Sequence, residues 1–232
     1  MSAIKGIVFD KDGTLFDFSA TWEAWAEAFL LRVCKGDRTQ ATQVGNSIGF
    51  DLPTRSFARD SIVIAGTPAE VVAVLAPQFP DIAKPALLDM LNEEAELAPQ
   101  AEAVPLSPLL TALRARDLRL GVATNDAQAP ALAHLNGAGV ADCFDFIAGF
   151  DSGFGGKPAP GQLLAFCEAT GLPPKTVVMV GDSTHDLHAG RAADMRTVAV
   201  LTGLADAAAL APLADVVLPD IGHLPAWLDA QG

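Results

Sequence analysis

The sequence predicts an α/β protein: a parallel sheet with helices on both faces, interrupted by an inserted helical block. Three observations predict it. From residue 107 onward, short continuous apolar runs alternate with helical patterns, as strands of a parallel sheet buried on both faces do. Residues 17 to 98 read as helical and offer no clear parallel strand. Polar residues cluster just past the apolar runs, at Asp10/Asp12, Thr124/Asn125, Lys157 and Asp182/Asp186. In an open α/β sheet, ligands bind at the carboxyl ends of the strands.

The first strand, Ile4 to Phe9, stops at Asp10 and Asp12, with Gly13 and Thr14 following. Residues 19–34 carry Trp22, Trp25, Phe29 and Val33 at helical spacing, which reads as a packed helix face. A second helix is expected from Thr39 to Ser47, then an irregular stretch over 49–55. Thr67-Pro68-Ala69-Glu70 is a capping box with proline at the first helical position. Residues 81–97 read as a further helix with Ile82, Leu87, Leu88, Leu91 and Leu97 apolar. Pro99 to Pro105 is the expected hinge on the return to the sheet.

Ser107-Pro108 is expected to cap a helix ending near Asp117, followed by a strand from Leu118 to Ala123 and a helix from Gln128 to Leu135. Phe144 to Ala148 is a weaker strand. Pro160 opens a helix to Thr170 that Gly171 and Pro173 punctuate. Strands at Thr176–Val180, Arg196–Val200 and Ala214–Leu218 complete the sheet, with helices to Ala193, at Ala205–Leu210 and at His223–Ala230. The expected division is a core of residues 1–16 and 99–232 and a helical cap of residues 17–98.

With half of its 232 residues hydrophobic, the chain can build a sizeable core. The net charge of −13 and the lack of a basic stripe argue against nucleic acid or an anionic membrane as partner. Cys34, Cys143 and Cys167 have no metal-type spacing and read as free thiols of a reducing compartment. No signal peptide or membrane-length apolar run is visible. The expectation is a cytoplasmic protein.

Four motifs stand in order: DKDGTLFD at 10–17, VATN at 122–125, GKPAP at 156–160 and VGDSTHD at 180–186. With them the chain resembles the haloacid dehalogenase superfamily of aspartate-nucleophile phosphohydrolases, and most of all its phosphoglycolate phosphatase-like group. The resemblance covers the whole chain. It implies a Rossmann-like core with the helical block as its cap, and a Mg²⁺-dependent hydrolysis of a small phosphorylated metabolite, 2-phosphoglycolate-like among the candidates. Asp10 would attack phosphorus and form an aspartyl-phosphate. Asp12 would protonate the leaving group and then activate water, helped by neighbouring carboxylates that keep it protonated. The implied metal ligands are Asp10, the Asp12 backbone carbonyl, Asp182, and Asp186 directly or through water. Thr124 and the Asn125 N–H would hold phosphoryl oxygens, and Lys157 would neutralise charge. Four ionised aspartates against one lysine leave three negative charges, so a phosphate needs the cation.

Two positions depart from the family pattern. Gly161 replaces the acid common after KPxP, which leaves the partner of Lys157 open, and Asp194 stands where glycine usually ends a helix. His185 and His188 read as solvent-facing residues, and His134 and His223 as ordinary helix residues. In the cap, Asn46, Ser47, Thr54, Arg55 and Arg59 are polar candidates, with Arg55 the candidate grip on a substrate anion. A phosphomutase using the same aspartates is the alternative reading, as is a phospho-acceptor or binding protein without turnover. Dehalogenation is disfavoured because it has no use for Asp12 and a bound Mg²⁺.

Overall fold

The computed structural model describes residues 3–231. The chain runs β1 (Gly6–Phe9), α1 (Phe18–Val33), α2 (Arg38–Ser47), β2 (Phe50–Asp51), β3 (Ser56–Phe57), α3 (Ile62–Ala65), α4 (Pro68–Leu75) and α5 (Lys84–Glu96). It continues with α6 (Leu106–Arg114), β4 (Arg119–Ala123), α7 (Gln128–Gly137), β5 (Phe146–Ala148), α8 (Gly161–Thr170), β6 (Val177–Gly181), α9 (Thr184–Ala192), β7 (Arg196–Val200), α10 (Ala207–Leu210), β8 (Val216–Leu218) and α11 (Leu224–Asp229). Six strands form one parallel sheet in the order β5-β4-β1-β6-β7-β8, as the apolar runs lead one to expect.

Side chains alternate across this sheet. Ile7 and Phe9 of β1 join Val122, Val178 and Val180 in one cluster under α6 and α11. Val8 and Met179 face the other way, onto Leu163 and Phe166 of α8 and Ala189 of α9. Gly121 of β4 leaves room for the Phe166 ring: a Cβ there would lie 2.5 Å from Phe166 Cδ2.

Residues 18–95 bury a separate apolar cluster built on Trp25, Phe29, Leu30, Phe50, Leu75 and Leu87. Trp25 stacks on Phe29 with ring centroids 5.6 Å apart, and its Nε1 donates to the Leu91 carbonyl. The two chain crossings between this block and the sheet run side by side. Asp17 N donates to Ala101 O and Ala103 N to Leu15 O. Asp17 also caps α1 by accepting from Ala20 N.

The structure corrects several local expectations. The stretch over 49–55 contributes to a small antiparallel pair, β2 with β3. Leu97 lies beyond α5 and is 79% exposed, so it is no part of the apolar face. Ser107 does not cap α6. The helix starts two residues earlier, at Leu106 after Pro105, and Glu102 Oε2 accepts from Leu106 N in place of a hydroxyl. The Thr67/Glu70 capping box and the left-handed Gly171 cap of α8 are as expected. Asp194 takes a left-handed φ of 58°. All three cysteines are free. No helix among the described residues is long and apolar enough to cross a membrane.

Candidate active site

The register fixes the floor of the site. Phe9 pairs with Val122 on one side and Val180 on the other. Asp10 is therefore level with Ala123 and Gly181, and Thr124 and Asp182 follow one residue on. The strand order reverses at β1: the chain moves outward through β4 and β5, then crosses back to β6. A crevice opens at such a switch point.

Into it project Asp10, Lys157, Asp182 and Asp186, all nine-tenths buried or more. Lys157 Nζ donates to Asp10 Oδ1 and to Asp186 Oδ1, each at 2.6 Å. This answers the question left by Gly161: the lysine is held by the nucleophile candidate and by Asp186. A side chain at 161 is sterically barred, because its Cβ would lie 2.0 Å from the Phe154 carbonyl oxygen. The lysine loop is tied to the end of β4 by a reciprocal pair. Lys157 N donates to Asn125 Oδ1 at 2.7 Å, and Asn125 Nδ2 to Lys157 O at 2.9 Å. Buried Gln162 holds the Thr124 carbonyl at 2.9 Å, while Thr124 Oγ1 accepts from Asp126 N and keeps its own proton to donate.

Asp186 has both roles open to it in the sequence. It is the acid of a capping box, with Oδ2 accepting from Ser183 N and Oγ. It also belongs, with Asp10 and Asp182, to the only metal-type cluster among the described residues: their ligand oxygens lie within 4.8 Å of one another. His185 and His188 are not in it. Glycines make room for these carboxylates. A Cβ on Gly203 would lie 1.7 Å from Asp182 Oδ2, and one on Gly13 (φ 79°) 2.5 Å from the same oxygen. Thr14 Oγ1 donates to Asp182 Oδ1 at 3.4 Å.

Burial dominates the electrostatics. It pushes Asp10 up to about 7; Lys157 opposes the shift, and Asp186 and Asp12 add to it. Asp182 is raised well above the usual carboxylate range by burial and by Asp10 and Asp186. Burial opposes the charge on Lys157, but Asp10 and Asp186 outweigh it and its pKa is raised. Three buried carboxylates with too little positive charge fit a small, hard divalent cation of the Mg²⁺ kind, which takes carboxylate oxygens.

The surroundings of Asp12 differ from the expected ones. Its neighbour is a cation, the fully buried Lys11, whose Nζ donates to Asp12 Oδ1 at 2.8 Å. The same Nζ pairs with Asp126 Oδ2 at 3.2 Å and meets His134 Nδ1 at 2.9 Å. Asp12 and Asp126 raise the Lys11 pKa despite its burial. Sequence reasoning passed over Lys11 and Asp126 and read His134 as unremarkable. One signal was available: His134 sits three after Ala131 and one before Leu135, on the buried face of α7. Counting Lys11 and Asp126 adds one charge of each sign and leaves the net deficit at three.

These groups line a crevice partly open to solvent, roofed by Phe18, Trp22, Trp25, Val63, Ile64 and Val71 of the helical block. Trp22 and Trp25 pack as expected and also line this cavity. None of the polar cap candidates lines it. Arg55, the expected grip on a substrate anion, is instead half-exposed and paired with Glu27 at 3.0 Å.

A family profile of haloacid dehalogenase-like hydrolases matches residues 4–194. The chain is 31% identical to a phosphoglycolate phosphatase of Rhodospirillum rubrum, over 97% of this chain and 90% of that one. Among solved structures it resembles a predicted phosphoglycolate phosphatase of Haemophilus somnus, with a TM-score of 0.71, 21% identity, and 98% and 99% of the two chains covered. It also resembles a β-phosphoglucomutase of Clostridium difficile, with a TM-score of 0.69, 16% identity and 98% of each chain covered. At those identities the solved structures speak for the fold, whereas the profile and the curated relative speak for ancestry. The chain belongs to the haloacid dehalogenase-like hydrolases, and within them it stands with the phosphatases.

Proposed function

We propose that the protein is a Mg²⁺-dependent phosphomonoester hydrolase that works through an aspartyl-phosphate on Asp10. The observation that carries this reading is the double contact of Lys157 Nζ with Asp10 and Asp186 in a buried, acid-rich pocket. A carboxylate so placed at a strand end has little purpose in the fold alone. Asp10 Oδ attacks phosphorus in line and the ester oxygen leaves. Asp12, two residues on, gives that oxygen its proton, then takes one from the water that hydrolyses the acyl phosphate and frees Asp10. Thr124 Oγ and the Asn125 N–H hold phosphoryl oxygens, and Lys157 offsets their charge. Mg²⁺ held by Asp10, Asp182 and Asp186, with the Asp12 carbonyl, would supply the remaining positive charge. A nearby cation also favours the ionised form of Asp10, which burial disfavours.

The test is phosphate release from a panel of phosphorylated small molecules, with and without Mg²⁺. The name of the curated relatives makes 2-phosphoglycolate its first member. Release that depends on Mg²⁺ and disappears in Asp10→Asn, with the fold intact, is the expected result. Undiminished release in that variant would sink the mechanism. An isomerised sugar phosphate without free phosphate would point to a phosphomutase.

A further inference from the structure

Asp12 must be placed closely, since it has to reach first the leaving oxygen and then a water. The metal-type cluster of Asp10, Asp182 and Asp186 does not hold its carboxylate. Among the described residues the side chain that does is Lys11, whose Nζ donates to Asp12 Oδ1 at 2.8 Å. The Asp12 side chain is 12% exposed and lines the crevice. With Oδ1 taken, Oδ2 is the oxygen left to exchange a proton.

Lys11 is itself held on several sides. It is fully buried, and its ammonium has three N–H donors and no acceptor. Three acceptors from different parts of the chain surround it. They are Asp12 Oδ1, His134 Nδ1 of α7 at 2.9 Å, and Asp126 Oδ2 of the β4–α7 loop, an ion pair at 3.2 Å. The Trp22 ring lies beside the same nitrogen, its centroid 5.5 Å away. The partners are anchored in turn: Asp126 Oδ1 accepts from Ala127 N at 2.8 Å, and His134 Nε2 is 2.7 Å from Ala95 O. Asp126 gives the ammonium a counter-charge that does not depend on Asp12. The contact to Oδ1 therefore persists whether Asp12 carries its proton or has given it up, because a carboxyl and a carboxylate oxygen both accept.

We propose that Lys11, anchored by His134 and Asp126, is the positioning residue of Asp12: it holds Oδ1 and so presents Oδ2 to the reacting atoms. The inference rests on the hydrolase reading above and adds a residue to it. Lys11 is not among the residues that line the crevice, so it acts through Asp12. In the first step the bond from Asp10 Oδ to phosphorus forms, the ester P–O bond breaks, and the proton on Asp12 Oδ2 passes to the ester oxygen. In the second, Oδ2 takes a proton from water as the water oxygen bonds to phosphorus and the Asp10–phosphate bond breaks. Both transfers use the one oxygen that Lys11 leaves free.

Leaving groups separate this role from a merely structural one. A 4-nitrophenolate departs without a proton, whereas an alkoxide needs one. The experiment measures kcat/KM, with Mg²⁺, for 4-nitrophenyl phosphate and for an alkyl ester, 2-phosphoglycolate first and then the other alkyl esters of the panel above. The proteins are wild type, Asp12→Asn, Lys11→Met and His134→Leu. The quantity read is the ratio of alkyl to nitrophenyl kcat/KM on one preparation, from which any loss of folded protein cancels. Lys11→Met is expected to lower the ratio about tenfold or more, and Asp12→Asn at least as far. His134→Leu keeps the lysine and removes one anchor, so the ratio should fall in the same direction by less. An unchanged ratio in Lys11→Met overturns the inference, as does an unchanged ratio in His134→Leu should Lys11→Met not fold. An unchanged ratio in Asp12→Asn would take the acid role from Asp12 and leave the hydrolase standing. Absence of phosphate release from every ester by the wild type would overturn the hydrolase reading and this inference with it.

Discussion

Lys11 Nζ lies 2.9 Å from His134 Nδ1, and the chemistry of the pair fixes which of them donates. An ammonium has only donors, so Nδ1 accepts and the imidazole proton sits on Nε2. That nitrogen is 2.7 Å from the carbonyl of Ala95, to which it donates. Ala95 lies in the last turn of α5, in the helical block. A buried line therefore runs from Asp12 through Lys11 and His134 to the roof. One lysine thus links the proposed acid/base to the helical block.

Removing that lysine leaves two carboxylates short of their cation. Lys11→Met should destabilise the fold by about 3–5 kcal/mol, because a buried pair is broken on one side only. Lys11→Met/Asp126→Asn should recover part of this, since one of the stranded charges is gone. Urea denaturation of the three proteins reads the difference. No recovery in the double variant would mean that Asp126 is not held by charge.

The same pair makes a pH prediction. Burial, together with Lys11, lowers the His134 pKa from 6.5 to about 4. The native state then binds fewer protons than the unfolded chain between those values, so the contribution of His134 is complete above pH 6.5 and is lost as pH falls towards 4. At 1.36 kcal/mol per unit the full loss is about 3 kcal/mol. Asp126 acts in the opposite sense, because burial raises it to about 6 and its native form favours the proton. The comparison of wild type with His134→Gln at each pH removes the Asp126 contribution. The stability advantage of the wild type should shrink between pH 7 and pH 4.5; a constant difference would contradict the buried neutral imidazole.

The legible part of the site was the part the backbone dictates. Asp10, Thr124 and Asp182 each follow an apolar strand of a parallel sheet, and strand ends of one kind share an edge, so residues far apart in sequence meet there. Lys11 was illegible because a lysine between two aspartates reads as solvated charge. Its burial arises from α7 and the helical block closing over it. The roof was legible only as packing: in α1, Trp22 and Trp25 serve the core and the cavity at once. Arg55 misled because an arginine in a polar cap loop offers no sign, in sequence, of the Glu27 that occupies it.

Arg55→Ala should accordingly leave kcat/KM within about twofold of wild type and cost about 0–1 kcal/mol of stability, as half-exposed ion pairs do. A tenfold rise in KM would restore Arg55 to the substrate.

Gly203→Ala tests the cradle of Asp182. The added Cβ would lie 1.7 Å from Asp182 Oδ2, so the carboxylate must move. The Mg²⁺ concentration for half-maximal activity should rise about tenfold or more, as when a metal ligand loses its orientation. Gly137→Ala is the control: nothing lies within 4 Å of its Cβ, and stability should be unchanged or up to about 1 kcal/mol higher.

The last prediction concerns how the lysine loop is held. Asn125 Oδ1 and Nδ2 grip the Lys157 backbone from both sides, while Lys157 Nζ reaches Asp10 and Asp186. Two of these contacts are therefore structural and two electrostatic, and substitutions separate them. Asn125→Ala leaves the lysine charge in place but frees its backbone. It should lower kcat about tenfold to a hundredfold, since small misplacements of a positioned group are costly, and should destabilise the fold by only about 1–3 kcal/mol. Lys157→Met removes the charge and leaves the backbone grip, so Asp10 and Asp186 face each other across a buried gap. There kcat should fall further than in Asn125→Ala. Equal kcat in the two variants would mean that the position of the ammonium matters as much as its charge.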